Sequence, residues 1–350
     1  MKSPYCCALI LAAALPIRAT AEVSIDEITS YSGMCEASAA VPVQEQGFDA
    51  AFVVANDEDN ILRVYGTDQE APVEKDINDF LGLDHPSEEN DKTDLEAATW
   101  IGDKIFWLAS HSRSGRKGKL REQRHQFFAT EVMDSGNLPE VKPVARAEGG
   151  LFEALSGIDD VGLRDSIMPN RDEDEDLRPE KKGLNIEGMA AGADGASVLI
   201  GLRNPLAPTT PEPAAIILRL GNPLDVVMAG SRPDLRVHAR LDLGGRGIRS
   251  MEYAPEMGGY YVAAGPVADS GGDGRPAFAL YRWSGRAGEA ATPVAGFAEA
   301  VAGKGEELRD FHPEAMIVAP DGRRIRLLSD DGDACDEARP RFRAVEIRIE

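Results

Sequence analysis

A phrase that occurs four times constrains the fold of this chain more than any other feature. Each copy is an apolar strand, a turn rich in Gly and Asp, and a second apolar strand, and the copies lie at 94–112, 185–205, 248–266 and 312–331. A fainter copy begins near Ser38. Hairpins that recur at a period of tens of residues are typical of β-propellers, in which each repeat builds one blade. We therefore predict an all-β propeller.

One blade per copy predicts five blades in a single domain over residues 22–350. The copies recur at roughly 60 residues, which is longer than the ~40–50 residues of short propeller repeats but sufficient for four strands with long loops. The interval between the copies at 94–112 and 185–205 is longer still, and its surplus forms an irregular insertion near 147–182. We interpret the insertion as a surface excursion, because loops tolerate added residues. A lid over the ring and a sixth, degenerate blade are the alternatives.

The two ends of the mature chain are predicted to meet in one sheet. Residues 22–35 and 342–350 both alternate as strands do, and a propeller removes its exposed edges when N- and C-terminal strands complete the last blade. Cys35 and Cys335 are the two cysteines left after the leader. An even pair in an oxidising compartment favours a disulfide, which would close the ring, over two buried thiols.

Residues 1–21 are predicted to be a secretory signal peptide. Lys2 precedes an apolar run, and small residues at Ala19 and Ala21 form a cleavage site. The run is shorter than the ~20 residues that span a bilayer, and Pro16 and Arg18 interrupt it. We therefore expect a periplasmic or secreted protein without a transmembrane segment in the mature chain.

Hairpin geometry predicts where ligands meet the ring. The first strand of each blade lines the central channel, so the starts of these strands converge on one mouth, together with the ends of the second strands. The converging starts are Ser38, Glu96, Glu187, Arg249 and Glu314. The second strands bring Asn56, Asp57, Ser110, His111, Ser112, Arg203, Asn204, Asp330 and Asp331, and Asp94 and His312 precede their strands at the same face.

These side chains suggest three roles at the mouth. Carboxylate oxygens suit Ca²⁺ or Mg²⁺, and the expected ligands are Glu96, Glu187, Glu314 and Asp330. Guanidinium forks suit an anionic group, and the expected ligand-binding residues are Arg203, Arg249, Asn204 and Asp57. Imidazoles act as general acid or base near neutral pH, and the expected catalytic residues are His111 and His312.

Two functions and one structural alternative follow from this mouth. In the first, a divalent cation assists hydrolysis of an anionic ester or phosphoester. In the second, the propeller binds a small anionic ligand or an envelope protein without turnover. The formal net charge of −22 opposes nucleic acid as a partner. The alternative is that the glutamates and arginines only pair with each other and hold the blades in register.

Several phrases also resemble a known family. They are "DLEAATW", "SHSRSGRKGKLREQR", "NIEGMA", "GLRNP", "GIRSMEYAP", "HPEAM" and "SDDGD", and over nearly the whole mature chain they are similar to an uncharacterised exported bacterial family, a domain of unknown function. The segment Asn185–Met189 is similar, more distantly, to the esterase-like phytases. The first resemblance implies no activity, and the second implies phosphoester or related ester hydrolysis. Neither assigns roles to residues.

Overall fold

The computed structural model describes residues 23–350 except 46, 67–70, 84–91, 135, 137, 149, 169, 210, 269–276, 333–334 and 337. The predicted signal peptide lies outside the described residues and stays a prediction. Within the described part, the strands form five antiparallel sheets of four strands each.

The first described strand is β1 (Val23–Ser32), which belongs to the last blade. Blade one is β2 (Ala39–Pro42), β3 (Phe52–Ala55), β4 (Ile61–Tyr65) and β5 (Val73–Asp76). Blade two is β6 (Leu95–Ile101), β7 (Lys104–Ala109), β8 (Phe127–Met133) and β9 (Glu140–Arg146). Blade three is β10 (Asn185–Ala191), β11 (Val198–Ala207), β12 (Ala214–Leu220) and β13 (Leu235–Leu241). Blade four is β14 (Gly247–Ala254), β15 (Gly259–Gly265), β16 (Ala279–Trp283) and β17 (Thr292–Pro293).

Blade five takes strands from both ends of the chain. Its order from the axis outward is β18 (His312–Val318), β19 (Arg324–Asp330), β20 (Arg341–Ile349) and β1. β1 and β20 pair antiparallel from Val23 opposite Ile349 to Ser32 opposite Arg341. The short helices are α1 (Asn78–Leu81), α2 (Gly150–Ser156), α3 (Val161–Ile167), α4 (Pro223–Ala229) and α5 (Phe297–Ala302), with 3₁₀ turns at Glu122–Arg124, Glu175–Leu177 and Gly305–Leu308.

The innermost strands form a closed ring. β2, β6, β10, β14 and β18 each contact the innermost strands of both neighbouring blades. The predicted five-bladed propeller, closed by strands from the two chain ends, is therefore confirmed. Because side chains of a strand alternate between the two faces of its sheet, the apolar core lies between blades, as where Trp107 and Phe128 of blade two pack against Val53 and Leu62 of blade one.

The insertion between β9 and β10 is helical. α2 and α3 bury Leu155 and Leu163 in the core between blades two and three. Asp160 separates the two helices because its side chain caps α3, with Leu163 N donating to Oδ1 at 3.0 Å. The described residues of the insertion contribute no strand to a sheet, so it is not a sixth blade. Its later part lies against the loop after β7, where Leu120 N donates to Asp172 O at 3.0 Å.

A disulfide joins Cys35, between β1 and β2, to Cys335, between β19 and β20, across 300 residues with a Cα–Cα distance of 5.7 Å. The predicted pairing is confirmed. Chain entropy assigns such a closure up to about 5 kcal/mol of stability. Among the described residues, none of the helices has the length and apolar character needed to cross a membrane.

Candidate functional site

Four of the five aligned start residues lie on register irregularities of the innermost strands. The pairing of the first two strands shifts at Glu96, Glu187, Arg249 and Glu314 in blades two to five. A β-bulge leaves one residue out of the ladder and redirects its side chain. This repeated bulge directs all four side chains into the ring, where they meet. In blade one the pairing of β2 and β3 is regular, and Ser38 instead donates its hydroxyl to the carbonyls of Ala55 and Leu95.

Two arginines and two glutamates form a buried network at the axis, which we call the arginine–glutamate network: Glu187, Arg203, Arg249 and Glu314. Nη1 of Arg203 donates to Oε1 of Glu187 at 2.8 Å. Nε of Arg249 lies 3.0 Å from Oε2 of Glu187, and its Nη2 pairs with Glu314. All four residues are at most 6% exposed. The network joins blades three, four and five.

Three carboxylates form a second group, the carboxylate triad: Asp57, Asp94 and Glu96. One oxygen of each lies within 4.8 Å of the others. Asp57 also lies within this distance of Glu36 and Glu58. Glu96 is 7% exposed, and no hydrogen-bond donor contacts its carboxylate among the residues that the structure describes. Like charges this close are unfavourable without a compensating cation or bound protons.

Neighbouring side chains hold Asp94 in place. Its Oδ2 accepts from Nη1 of Arg124 at 2.7 Å, from Oγ of Ser112 at 3.1 Å and from Oγ of Ser110. These donors all contact Oδ2, so Oδ1 receives no donor from the described residues. Asp94 adopts a left-handed backbone conformation with φ of 59°, which Asp tolerates better than most residues. The strained turn before β6 thus presents one oxygen to Glu96 and Asp57.

Burial and mutual repulsion raise the pKa of two triad members. The pKa of Glu96 is well above its usual value, first because the group is desolvated and then because of the charges of Asp94, Glu187 and Asp57, while Arg249 opposes the rise. The pKa of Asp57 is also well above its usual value, first through desolvation and then through charges that include Asp94 and Asp330. The triad therefore takes up protons readily unless a cation neutralises it.

The expected metal ligands separate into two groups. Glu96 lies in the carboxylate triad, whereas Glu187 and Glu314 are paired with arginines. Asp330 accepts from the backbone N of Gly332 at 2.9 Å and is near enough to affect Asp57. Asp57, expected among the ligand-binding residues, instead lies with Glu96. The residue types are thus at one mouth, but the carboxylates available to a cation differ from the expected set.

The expected anion-binding residues are engaged with protein groups. Both guanidiniums are in the arginine–glutamate network, and Nε of Arg203 also donates to the carbonyl of Val267 at 2.9 Å. The side-chain amide of Asn204 donates to the carbonyls of Pro179 and Gly183. Asn204 therefore fastens the insertion to the start of blade three. These contacts give the three residues a structural role.

The two expected catalytic histidines contact side chains outside the carboxylate triad. His111 is 2% exposed and stacks on His125 at 5.5 Å between ring centroids, and His125 stacks on Phe152 of α2 at 3.8 Å. Nδ1 of His111 lies 2.9 Å from the carbonyl of Ala109, and burial lowers its pKa to about 4. His312 stacks on Phe278 at 5.5 Å. His111 is consequently a neutral packed ring at neutral pH.

Sequence reasoning gave no role to Asp94 and missed Glu36 and Glu58. Asp94 was already among the residues predicted to converge on the mouth. Ser110 and Ser112, which donate to its carboxylate, were predicted to lie at the same face, at the end of the second strand of that hairpin. Glu36 lies in the connection from β1 to β2, beside the disulfide, where its backbone forms a bridge with Asp330. Its position depends on closure of the ring, which no local pattern reveals.

Comparisons with known proteins identify a family of unknown function and leave the chemistry open. Residues 174–327 match the family model described as "Protein of unknown function (DUF3616)". No curated protein sequence matches the chain significantly. Similar solved structures include the PQQ-bound aldose sugar dehydrogenase from Streptomyces coelicolor, with 12% identity, a TM-score of 0.44 and coverage of 95% of this chain and 99% of that chain. Glutaminyl cyclase from Myxococcus xanthus has 11% identity, a TM-score of 0.43 and coverage of 94% and 98%.

The predicted resemblance to the esterase-like phytases is not supported by these matches and stays a prediction. Over residues 174–327, the family match confirms that the chain resembles an uncharacterised family of unknown function.

Proposed function

We propose that the mouth of the channel binds a divalent cation on Asp57, Asp94 and Glu96. One observation carries this proposal: three carboxylate oxygens lie within 4.8 Å of one another, and Glu96 among them is buried with no described donor. Arg124 pairs with Asp94, and a cation between the three groups would neutralise the charge that this one guanidinium leaves uncompensated. The guanidinium of Arg249 is held by Glu187 and Glu314, so it offers the triad only partial relief.

The chemistry of the ligands favours Ca²⁺, with Mg²⁺ second. Both are hard cations that prefer oxygen, and Ca²⁺ takes 6–8 oxygens at about 2.3–2.6 Å in flexible geometry. The triad supplies at least three oxygens, and Glu36 and Glu58 lie beside Asp57 as further candidates. Water and substrate oxygens would complete the shell. A site that keeps such open positions can act on a ligand, whereas a fully protein-filled shell serves stability alone.

We propose further that the bound cation assists hydrolysis of an anionic ester or phosphoester. An open coordination position polarises the ester or phosphoryl oxygen and lowers the pKa of bound water. A carboxylate oxygen that the cation does not take up is suited to accept the proton of that water. The charge of the bound cation determines the substrate class. At an otherwise acidic mouth, an anionic oxygen would be attracted to this positive charge.

Recognition without turnover is the second candidate, and the histidines favour it. His111 is neutral and packed against His125, and His312 is stacked on Phe278, so both imidazoles are engaged in ring contacts and neither has a described contact with a triad carboxylate. In this version the cation only holds a small anionic ligand or the acidic side chain of an envelope protein. The site is the same, and the two candidates differ in whether product accumulates.

Calorimetric titration of the demetallated protein with CaCl₂ and MgCl₂ tests the site. We expect one ion per chain for the wild type, at least a tenfold weaker affinity for Glu96→Gln and Asp57→Asn, and wild-type affinity for Glu140→Gln, an exposed glutamate on blade two. p-Nitrophenyl phosphate, bis(p-nitrophenyl) phosphate and p-nitrophenyl acetate then test turnover with and without chelator. Binding without turnover favours recognition. Failure of both ions to bind contradicts the site itself.

We also propose that the mature protein resides outside the cytoplasm, in the periplasm or as a secreted protein. The Cys35–Cys335 disulfide supports this, because such bonds persist in oxidising compartments. Fractionation of cells that express the full chain with a C-terminal tag tests it. A processed, oxidised form in the periplasm or medium is expected, and a reduced, full-length form in the cytoplasm would contradict it.

A further inference from the structure

A cavity lies at the other end of the channel, where the first hairpin of each blade turns. Its volume is about 150 Å³, which is room for a small ligand of a few non-hydrogen atoms. All five innermost strands or their flanking turns contribute to the wall. The lining residues used below are Glu45, Trp100, Glu252 and Tyr253.

The described lining of the cavity holds two acidic groups and no basic one. Glu252, on β14, lines the cavity and is half-buried, while Glu45 is exposed at the rim. No Lys, Arg or His is among the described residues that line it. The backbone N–H of Tyr253 favours the ionised form of the Glu252 carboxyl and so opposes the rise in its pKa. This lining contrasts with the carboxylate mouth, where Arg249 and Arg124 stand beside the acidic residues.

Two aromatic residues line the same cavity. Trp100 is held in place because its Nε1 donates to the carbonyl of Pro42 at 2.8 Å. Tyr253 packs on Tyr260, with 4.9 Å between ring centroids. The faces of Trp and Tyr attract cations, and Trp does so most strongly. A cavity lined by an acid and two aromatic residues, with no guanidinium or ammonium group in its described lining, suits a positively charged organic group.

We propose that this cavity binds a small organic ammonium ligand, with Glu252 as its counter-ion and Trp100 and Tyr253 as aromatic walls. An anionic ligand would meet no basic group in the described lining of the cavity. A divalent metal ion would find too few carboxylates, because Ca²⁺ takes six or more oxygens and the described lining offers only Glu252 and the exposed Glu45. A quaternary or primary ammonium satisfies the acid and contacts the rings at the same time.

The proton on Glu252 couples this binding to pH. Burial raises the pKa of the Glu252 carboxyl to about 8, so the group is mostly protonated at pH 7. The other titratable groups near it are Glu45 and Tyr253 at the cavity, Tyr260 behind Tyr253, and Asp194, which is paired with Arg219 at 2.7 Å. Bound ammonium favours the ionised carboxyl and releases its proton. Affinity should therefore rise as the pH rises to about 8 and level off above it.

Choline is the probe, because its charge does not change with pH. Calorimetric titration of the purified protein at pH 6, 7, 8 and 9 should show affinity that rises up to about tenfold per pH unit below pH 8. The neutral isostere 3,3-dimethylbutan-1-ol should bind at least about tenfold more weakly at pH 8. Tetramethylammonium and ethylammonium, titrated at pH 8, extend the range of ligand size.

Variants separate a binding role for Glu252 from a structural one. Glu252→Gln should bind choline about tenfold or more weakly at pH 8 and lose the pH dependence, while its circular-dichroism melting curve stays cooperative. Glu140→Gln, which removes an exposed glutamate elsewhere, should behave as the wild type. The proposal is overturned if the wild type binds none of the three ammonium ions at pH 8, if the neutral alcohol binds as well as choline, or if Glu252→Gln keeps wild-type affinity.

Discussion

Nε of Arg249 in blade four lies 3.0 Å from Oε2 of Glu187 in blade three. The same guanidinium pairs with Glu314 in blade five, so one arginine connects three blades at the axis. The three side chains are almost completely buried. Buried charges of this kind are costly when a partner is lost, even where the intact network adds little net stability.

Arg249→Met should therefore destabilise the propeller strongly. The substitution leaves the carboxylates of Glu187 and Glu314 buried with less compensation, and loss of one partner of a buried pair costs roughly 3–5 kcal/mol. Urea denaturation monitored by tryptophan fluorescence measures this. Arg116→Met, an exposed arginine of the loop after β7, should change the free energy of unfolding little. A double variant, Arg249→Met with Glu314→Gln, should recover part of the loss, and equal stability of Arg249→Met and wild type would contradict the role of the network.

Removing the acid at Glu96 should change how stability depends on pH. The pKa of Glu96 is raised in the folded protein, so the folded state holds its proton more tightly than the unfolded state does. Its contribution to stability is complete below the ordinary glutamate pKa of about 4.3 and is lost as the pH rises through the raised value. In metal-free buffer, the free energy of unfolding of Glu96→Gln should fall less than that of the wild type between about pH 5 and pH 8. Parallel pH profiles would count against the raised pKa.

Calcium should raise the melting temperature of the wild type. A ligand that binds only the folded state stabilises it by about 2.7 kcal/mol at a concentration 100 times its Kd. Differential scanning calorimetry with increasing CaCl₂ measures the shift for the wild type, Asp94→Asn and the control Glu140→Gln. Wild type and control should shift together, and Asp94→Asn should shift much less. A shift that is the same in all three would place the ion away from the carboxylate triad.

Opening the disulfide should lower stability without breaking the ring of innermost strands. A closure of 300 residues contributes about 2–5 kcal/mol in comparable proteins, and β1 still pairs with β20 along their length. Cys35→Ala with Cys335→Ala should unfold at lower urea with an unchanged far-ultraviolet circular-dichroism spectrum. Glu36 follows Cys35, so without the disulfide its carboxylate should be positioned less firmly beside Asp57. Calcium affinity should therefore fall modestly. An unfolded double variant would show that the bond is required for folding.

His111→Phe should leave cation binding unchanged. The imidazole packs on His125 and its pKa is lowered to about 4 by burial, so a ring of similar shape preserves the packing while removing the nitrogens. Calcium affinity measured by calorimetry should match the wild type. Loss of hydrolytic activity with intact calcium binding would instead restore His111 to the reaction, as the sequence had indicated.

The architecture was predictable because its signals repeat. Five copies of one hairpin, alternating strands at both ends and an even pair of cysteines indicated the ring, its closure and the disulfide. The insertion was located by the irregular interval, but its division into two helices was not foreseen; Asp160 separates them because it caps the second one.

The site was predictable in its residue types but not in its pairings. The recurring slot indicated that Glu96, Glu187, Arg249 and Glu314 converge, because each occupies the same position in its hairpin. Which of the carboxylates pairs with an arginine depends on the distances between side chains of different blades. Those distances depend on β-bulges, which the alternating sequence pattern does not reveal. The cavity beside Glu252 was missed for a similar reason, since its wall is assembled from single residues of different blades.

The most direct test is a crystal structure of the protein soaked with CaCl₂, with MnCl₂ as an anomalous scatterer in a second crystal. The account predicts one ion about 2.3–2.6 Å from carboxylate oxygens of Asp57, Asp94 and Glu96 for calcium, with an anomalous peak at the same place for manganese. Carboxylates that stay without an ion at saturating calcium, or an ion bound only elsewhere on the acidic surface, would contradict it.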